Sequence, residues 1–215
     1  MPLSRGILGA GPARPARRTR RLSWREARFA SLDFETTGLD YDRDEVVSFG
    51  VVPVERGRVI VGGAIHQLVR PRVPASASSM TVHGILPRDL VDAPPMAVAR
   101  ETLRRALQDR YVLAWFAEVE LAFLARTFGG SERRWAGRTV DARQLALDLE
   151  GRDQATRHTL SSVAARYGIP VSSPHEALDD AMVTAQLFLV LASRMERLGR
   201  GRMRDLVALT RTRRR

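Results

Sequence analysis

An α/β domain, with a mixed sheet covered by helices, is the fold class the sequence predicts. Three observations predict it. Apolar strand patterns rich in Val and Ile follow one another over residues 29–35, 45–55 and 58–70. Short apolar runs at 111–116 and 138–140 then each lead straight into a helical pattern, which gives five strands in all. A long helical pattern closes this part of the chain. Strands in sequence make the antiparallel portion, and strand–helix alternation makes the parallel portion.

The elements follow in order. "FASLDFET" reads as a strand that ends in acids. "EVVSFGVVPVE" and "RVIVGGAIHQLVR" flank "ERG", whose Gly57 is a turn signal, so they form a hairpin. "PRVPASASSMTVHGI" is rich in Pro, Ser and Ala and reads as a loop, and "LPRDLVDAPP" as at most one helical turn. Met96, Ala99, Leu103, Ala106 and Leu107 make one stripe of an amphipathic helix. "YVLAWF" is a buried strand, "VELAFLARTF" a helix, and "RTVDARQLALDL" a strand end turning into a helix. "TLSSVAARYGI" is a short helix with Thr159 as its N-cap and Gly168 just past its end. "SPHEALDDAMVTAQLFLVLASRMERL" is the longest helix, with Ala177, Ala181, Thr184, Ala185, Phe188, Leu191 and Ala192 facing the sheet. No internal repeat is visible.

Charge divides the chain. Its net charge is +11 and every basic residue is Arg. Residues 1–28 hold eight Arg against one acid, and residues 194–215 hold nine against two, so the middle is slightly acidic. The expected organisation is a disordered basic tail over 1–27, a domain over 28–195, and a basic C-terminal helix or tail over 196–215. Clustered basic ends attract nucleic acid or another polyanion, or simply keep a tail solvated. With no Cys, disulfides and thiolate metal sites are excluded, which fits a reducing, cytoplasmic setting. No apolar run reaches the ~18 residues of a membrane span. The sequence leaves the oligomeric state open.

Asp33 and Glu35 carry the chemistry. Residues i and i+2 of a strand share a face, so two carboxylates project side by side. They repel each other, and one protonates unless a cation sits between them. Oxygen ligands alone favour Mg²⁺ or Mn²⁺. The plainer alternative is the wet end of a strand. "HEALDD" offers His175, Asp179 and Asp180 at the start of the long helix. A His beside carboxylates and a metal can act as a general base near neutral pH, and a helix-start His without such a role is the alternative.

Together, "LDFETTGLD", "TVHGI", "VDARQLALDL", "TLSSVAARYGI" and "HEALDDA" resemble, in order and spacing, the DnaQ-like 3′–5′ exonucleases. The branch is the one named for four acids and a histidine (DEDDh), to which the epsilon subunit of DNA polymerase III belongs. The resemblance covers about residues 28–195 and implies a ribonuclease H-like, mixed five-stranded sheet flanked by helices. It implies that Asp33, Glu35 and Asp180 are metal ligands and that His175 is the general base. It also implies that Leu39 wedges against the terminal base, that Thr36 and Thr37 touch the last nucleotide, and that His83 lies near the site. The implied reaction is hydrolysis at the 3′ end of single-stranded DNA or RNA, releasing nucleoside monophosphates with two Mg²⁺ or Mn²⁺ ions. A DNA polymerase is an implied partner.

The second motif departs from the family. "AWFAEVELAFL" has Trp115 and Phe116 where the family has His and Asn, and Glu120 where it has Asp. Glu120 keeps the carboxylate but reaches about 1 Å further, and a misplacement of that size can cost roughly 100-fold in rate. Glu118 is a second, more solvent-facing candidate. Trp115 and Phe116 either stack on bases or pack in the core. Two other functions therefore stand beside the exonuclease: a catalytically impaired nucleic-acid-binding scaffold on the same fold, and a phosphodiesterase acting on short oligonucleotides or nucleotides.

Overall fold

The computed structural model describes residues 11–151 and 158–212. The sheet runs in the order β3-β2-β1-β5-β6, and β4 also pairs with β2. The strands are β1 (Arg28–Thr36), β2 (Val46–Glu55), β3 (Arg58–Val59), β4 (Ile65–Leu68), β5 (Tyr111–Ala114) and β6 (Thr139–Asp141). β1 and β2 pair antiparallel, and β5 and β6 run parallel to β1. This is the expected mixed sheet. The second arm of the hairpin is divided into β3 and β4 by a 3-10 turn at Val61–Gly63.

Alternation along β1 sorts the core into two layers. Ala30, Leu32 and Phe34 face α2 (Met96–Ala106), α3 (Glu118–Phe128) and α4 (Glu132–Ala136). Phe29, with Val52, Val54 and Leu113, faces α5 (Ala142–Glu150), α6 (Leu160–Arg166), α7 (Ala177–Arg197) and α8 (Met203–Thr212). Asp33 and Glu35 share the parity of Phe29, so they point toward the α7 layer. β1 pairs with β5 only over Phe29–Ser31, and beyond that point the two strands leave a gap at one end of the sheet.

Three expectations need correction. "PASASSMTVHG" contains a helix, α1 (Ala77–His83), capped by Ser76 and ended by Gly84 in the left-handed region. It buries none of its residues, so it has no apolar stripe to read. α4 is a five-residue helix that the sequence reading passed over. The N-terminal basic tail is also not disordered where described, whereas the C-terminal one forms the expected helix, α8 (Met203–Thr212). Residues 11–27 pack against the domain, with Trp24 only 1% exposed, and α8 buries Met203, Leu206 and Val207. The tails bury apolar side chains because they meet each other: Trp24 N–H donates to Gly201 C=O, and Met203 N–H to Leu22 C=O. Arg25 pairs with Glu196, and Arg200 with Asp148, so part of the tail charge is neutralised within the fold. The tail expectation for 1–10 and 213–215 lies outside the described residues.

Candidate active site

β1 brings Asp33 and Glu35 to the open end of the sheet, and the first turn of α7 brings Asp180 over them. Carboxylate oxygens of the three lie within 4.8 Å of one another. What permits the approach is Gly50, the cross-strand partner of Asp33. A Cβ at Gly50 would stand 2.1 Å from the Ala177 carbonyl oxygen and 2.5 Å from the Leu178 Cα. Only a residue without a side chain lets the start of α7 rest on β2 at this point.

Glu120 comes from the opposite layer. It is the third residue of α3 and enters the gap beyond the β1–β5 pairing, where the Phe34 backbone N–H lies near its carboxylate. It is 3% exposed, and its Oε2 has no partner among the described residues. Its charge acts on Asp33, although it stands outside the close trio. Glu118 is partly exposed at the start of α3, as expected.

The electrostatics of this cluster are unfavourable without a cation. Burial, then the charges of Glu120, Glu35 and Asp180, push the Asp33 carboxyl well above the usual range. Burial, and then Asp180, raise Glu35 to about 8. Glu120 and Asp180 are raised as well, chiefly by burial. Four carboxyls that resist ionisation, one with an unpartnered oxygen, form an all-oxygen donor set that fits a hard divalent ion such as Mg²⁺ or Mn²⁺.

The acids lie in a cleft of about 1020 Å³, which is also lined by Thr36, Thr37, Leu39, His83, Trp115, Phe116 and His175. Leu39 is 71% exposed at the cleft. His175 is exposed, takes a left-handed backbone (φ +64°), and donates its backbone N–H to Asp180. Asp179 instead accepts from the N–H groups of Ser172 and Ser173, holding the loop that leads to His175. The Thr36 hydroxyl donates to Gly38 C=O. Thr37 is fully buried, and its hydroxyl donates to Asp44 and accepts from Glu45 N–H. The Thr37 hydroxyl thus braces the 38–45 loop, while the residue lines the cleft. His83 Nδ1 accepts from Ile85 N–H, which leaves Nε2 to carry the proton.

The exonuclease family model (RNase_T) matches residues 31–188. The chain belongs to this exonuclease family. DNA polymerase III PolC-type of Thermotoga maritima is 30% identical over 187 residues, which is 86% of this chain and 13% of the relative. DNA polymerase III subunit epsilon-like protein of Rhodobacter capsulatus is 30% identical over 174 residues, 80% of this chain and 24% of the relative. The chain therefore spans a quarter or less of these relatives. Two solved structures share its ribonuclease H-like fold. Exonuclease X in complex with 5′-overhanging duplex DNA has a TM-score of 0.64 at 21% identity, covering 86% of this chain and 99% of its own. The nuclease domain of 3′hExo, a DEDDh family member bound to rAMP, has a TM-score of 0.60 at 17% identity, covering 81% and 94%.

Within this exonuclease-family chain the unusual second motif has a structural setting. Trp115 lines the cleft while packing partly against the α7-side core. Phe116 takes a left-handed backbone (φ +58°), and the Arg143 guanidinium lies 5.2 Å above its ring. Sequence reasoning missed Gly50, Arg143 and Asp141. Asp141 directly before a helix carried a readable N-cap signal, whereas nothing local marked Gly50 or Arg143.

Proposed function

We propose that this chain is a metal-dependent 3′–5′ exonuclease that removes nucleoside monophosphates from single-stranded DNA or RNA. The observation that carries the reading is the convergence of Asp33, Glu35 and Asp180 within 4.8 Å at the cleft. Asp33, Glu35, Asp180 and Glu120 would hold two Mg²⁺ or Mn²⁺ ions. When bound, such ions supply charge that lowers the pKa of water and steadies both oxygens of an in-line displacement. His175, exposed at the mouth and tied to Asp180 through its backbone, takes the proton of the attacking water. Leu39 presents an apolar surface to the terminal base, and Trp115 and Phe116 offer faces on which bases stack. Thr36 and the Nε2–H of His83 line the wall that the terminal nucleotide meets. The names of the 30%-identical relatives favour DNA as substrate and a DNA polymerase as the setting. The buried Glu120, close enough to act on Asp33, favours an active site over a scaffold.

The test is hydrolysis of single-stranded oligonucleotides labelled at the 3′ or 5′ end, DNA and RNA in parallel, with Mn²⁺, Mg²⁺ or EDTA. Shortening from the 3′ end with metal alone is expected. Asp180→Asn should abolish it, and His175→Ala should slow it by roughly 10²–10⁴. Hydrolysis that survives EDTA, or shortening from the 5′ end, would refute the proposal.

A further inference from the structure

Asp141 ends β6 and caps α5, yet its carboxylate does more than a helix cap requires. It is 4% exposed and accepts four backbone N–H groups. Arg143 N–H at 3.0 Å and Gln144 N–H at 3.3 Å belong to its own helix. The N–H groups of Phe116 and Ala117, both at 3.2 Å, belong to the connection from β5 to α3. That connection needs an outside hold. Phe116 is in the left-handed region, which costs a non-glycine residue of order 1–3 kcal/mol and persists only when its surroundings fix it. Ala117, the N-cap of α3, has no side chain to cap with. Three residues later comes Glu120.

The network continues away from the site. The Asp141 N–H donates to the Thr210 hydroxyl at 2.9 Å, and that hydroxyl donates to Thr139 C=O at 3.1 Å. Thr210 is 6% exposed on α8. β6 is the last strand of the sheet, so the hydroxyl of α8 supplies the donor and acceptor that a further strand would have supplied.

We infer that Asp141 is a positioning residue for Glu120, fastened in turn by Thr210 of the C-terminal helix. The inference rests on the proposed role of Glu120 in holding metal. Asp141 grips the start of α3 from outside, and the direction in which α3 leaves that grip sets where the Glu120 carboxylate stands. A carboxylate is required for this. Asparagine caps a helix about as well as aspartate, and its single acceptor oxygen would keep the Oδ1 bonds to Phe116, Arg143 and Gln144. Its NH₂ group would then oppose the Ala117 N–H, which Oδ2 now accepts.

The experiment compares the full chain with Asp141→Asn, Glu120→Gln, the double variant, Thr210→Val and Thr210→Ser. The readouts are Mn²⁺ binding by calorimetry without nucleic acid, kcat and KM on a single-stranded oligonucleotide, and thermal melting. Asp141→Asn should weaken Mn²⁺ binding or kcat by roughly 10–100-fold with KM for the oligonucleotide unchanged. The double variant should be no worse than Glu120→Gln alone, because a residue acting through another loses its effect once that one is gone. Thr210→Val should move the same readouts in the same direction, and Thr210→Ser should restore them. Additive losses in the double variant would overturn the inference. So would an Asp141→Asn protein that melts earlier yet binds Mn²⁺ and turns over like the parent, since that is a helix cap and nothing more. If Asp141→Asn does not fold, wild-type Mn²⁺ binding and kcat in Thr210→Val would overturn it. Failure of the parent itself to bind Mn²⁺ would refute the metal-site reading and this inference with it, whereas additivity in a parent that binds Mn²⁺ refutes this inference alone.

Discussion

Glu35 shows how one residue ties stability to the ligand. Its carboxyl titrates near 4.5 in a free chain and near 8 in the fold, because burial and then Asp180 oppose its ionisation. Between those values the folded, metal-free protein keeps a proton that the unfolded chain has released. Stability from this group is therefore fully present below 4.5 and is lost as pH rises to about 8. Asp33, Glu120 and Asp180 shift in the same direction. In EDTA, the melting temperature should fall between pH 5 and 8, and added Mn²⁺ should flatten the profile. Glu35→Gln should flatten part of it without metal. A melting temperature in EDTA that ignores pH would show that the four acids are solvated rather than crowded. The acids themselves were legible in the sequence, because i and i+2 on a strand share a face whatever the rest of the chain does. The work of Asp141 and Thr210 was not, because it lies in hydrogen bonds to residues 24 and 69 positions away.

At the scale of elements, the approach of α7 to β2 decides whether the site exists. α7 buries Ala181, Ala185, Phe188, Leu191 and Ala192, and that stripe was readable from its helical period. The point where the helix touches the sheet was not, because Gly50 looks like any glycine in a Val-rich strand. Gly50→Ala should lift the first turn of α7 and carry Asp180 and His175 with it, since the added Cβ meets backbone rather than a yielding side chain. A displacement of about 1 Å should lower the rate by roughly 100-fold. Single-turnover hydrolysis, with circular dichroism to confirm the fold, checks this, and a parental rate would mean that the helix start shifts without disturbing Asp180. α1 illustrates the converse. It presents cleft-lining residues with no buried face, so neither periodicity nor composition separated it from a loop.

For the whole molecule, the two Arg-rich ends belong to the folded body over most of their length. Trp24 sits against Phe188 of α7 with ring centroids 5.7 Å apart. Arg138, 3% exposed, gives hydrogen bonds to the carbonyls of Pro12, Ala13, Leu107 and Arg110. Trp24→Ala should cost about 3–5 kcal/mol, measured by urea unfolding. Deleting residues 1–27 should cost at least as much, because it also strips two of the acceptors from Arg138. A deletion variant as stable as the parent would show the arm to be an accessory. Composition pointed to disorder here because each end read alone lacks a core, and only their meeting creates one. That meeting has a consequence for synthesis. Residues 22–24 are synthesised well before their partners at 201–203. Until then the indole of Trp24 and the apolar face of α7 lack the cover that α8 brings, so a nascent chain stalled short of α8 is a client for chaperones, and the emergence of α8 is the step that closes the domain.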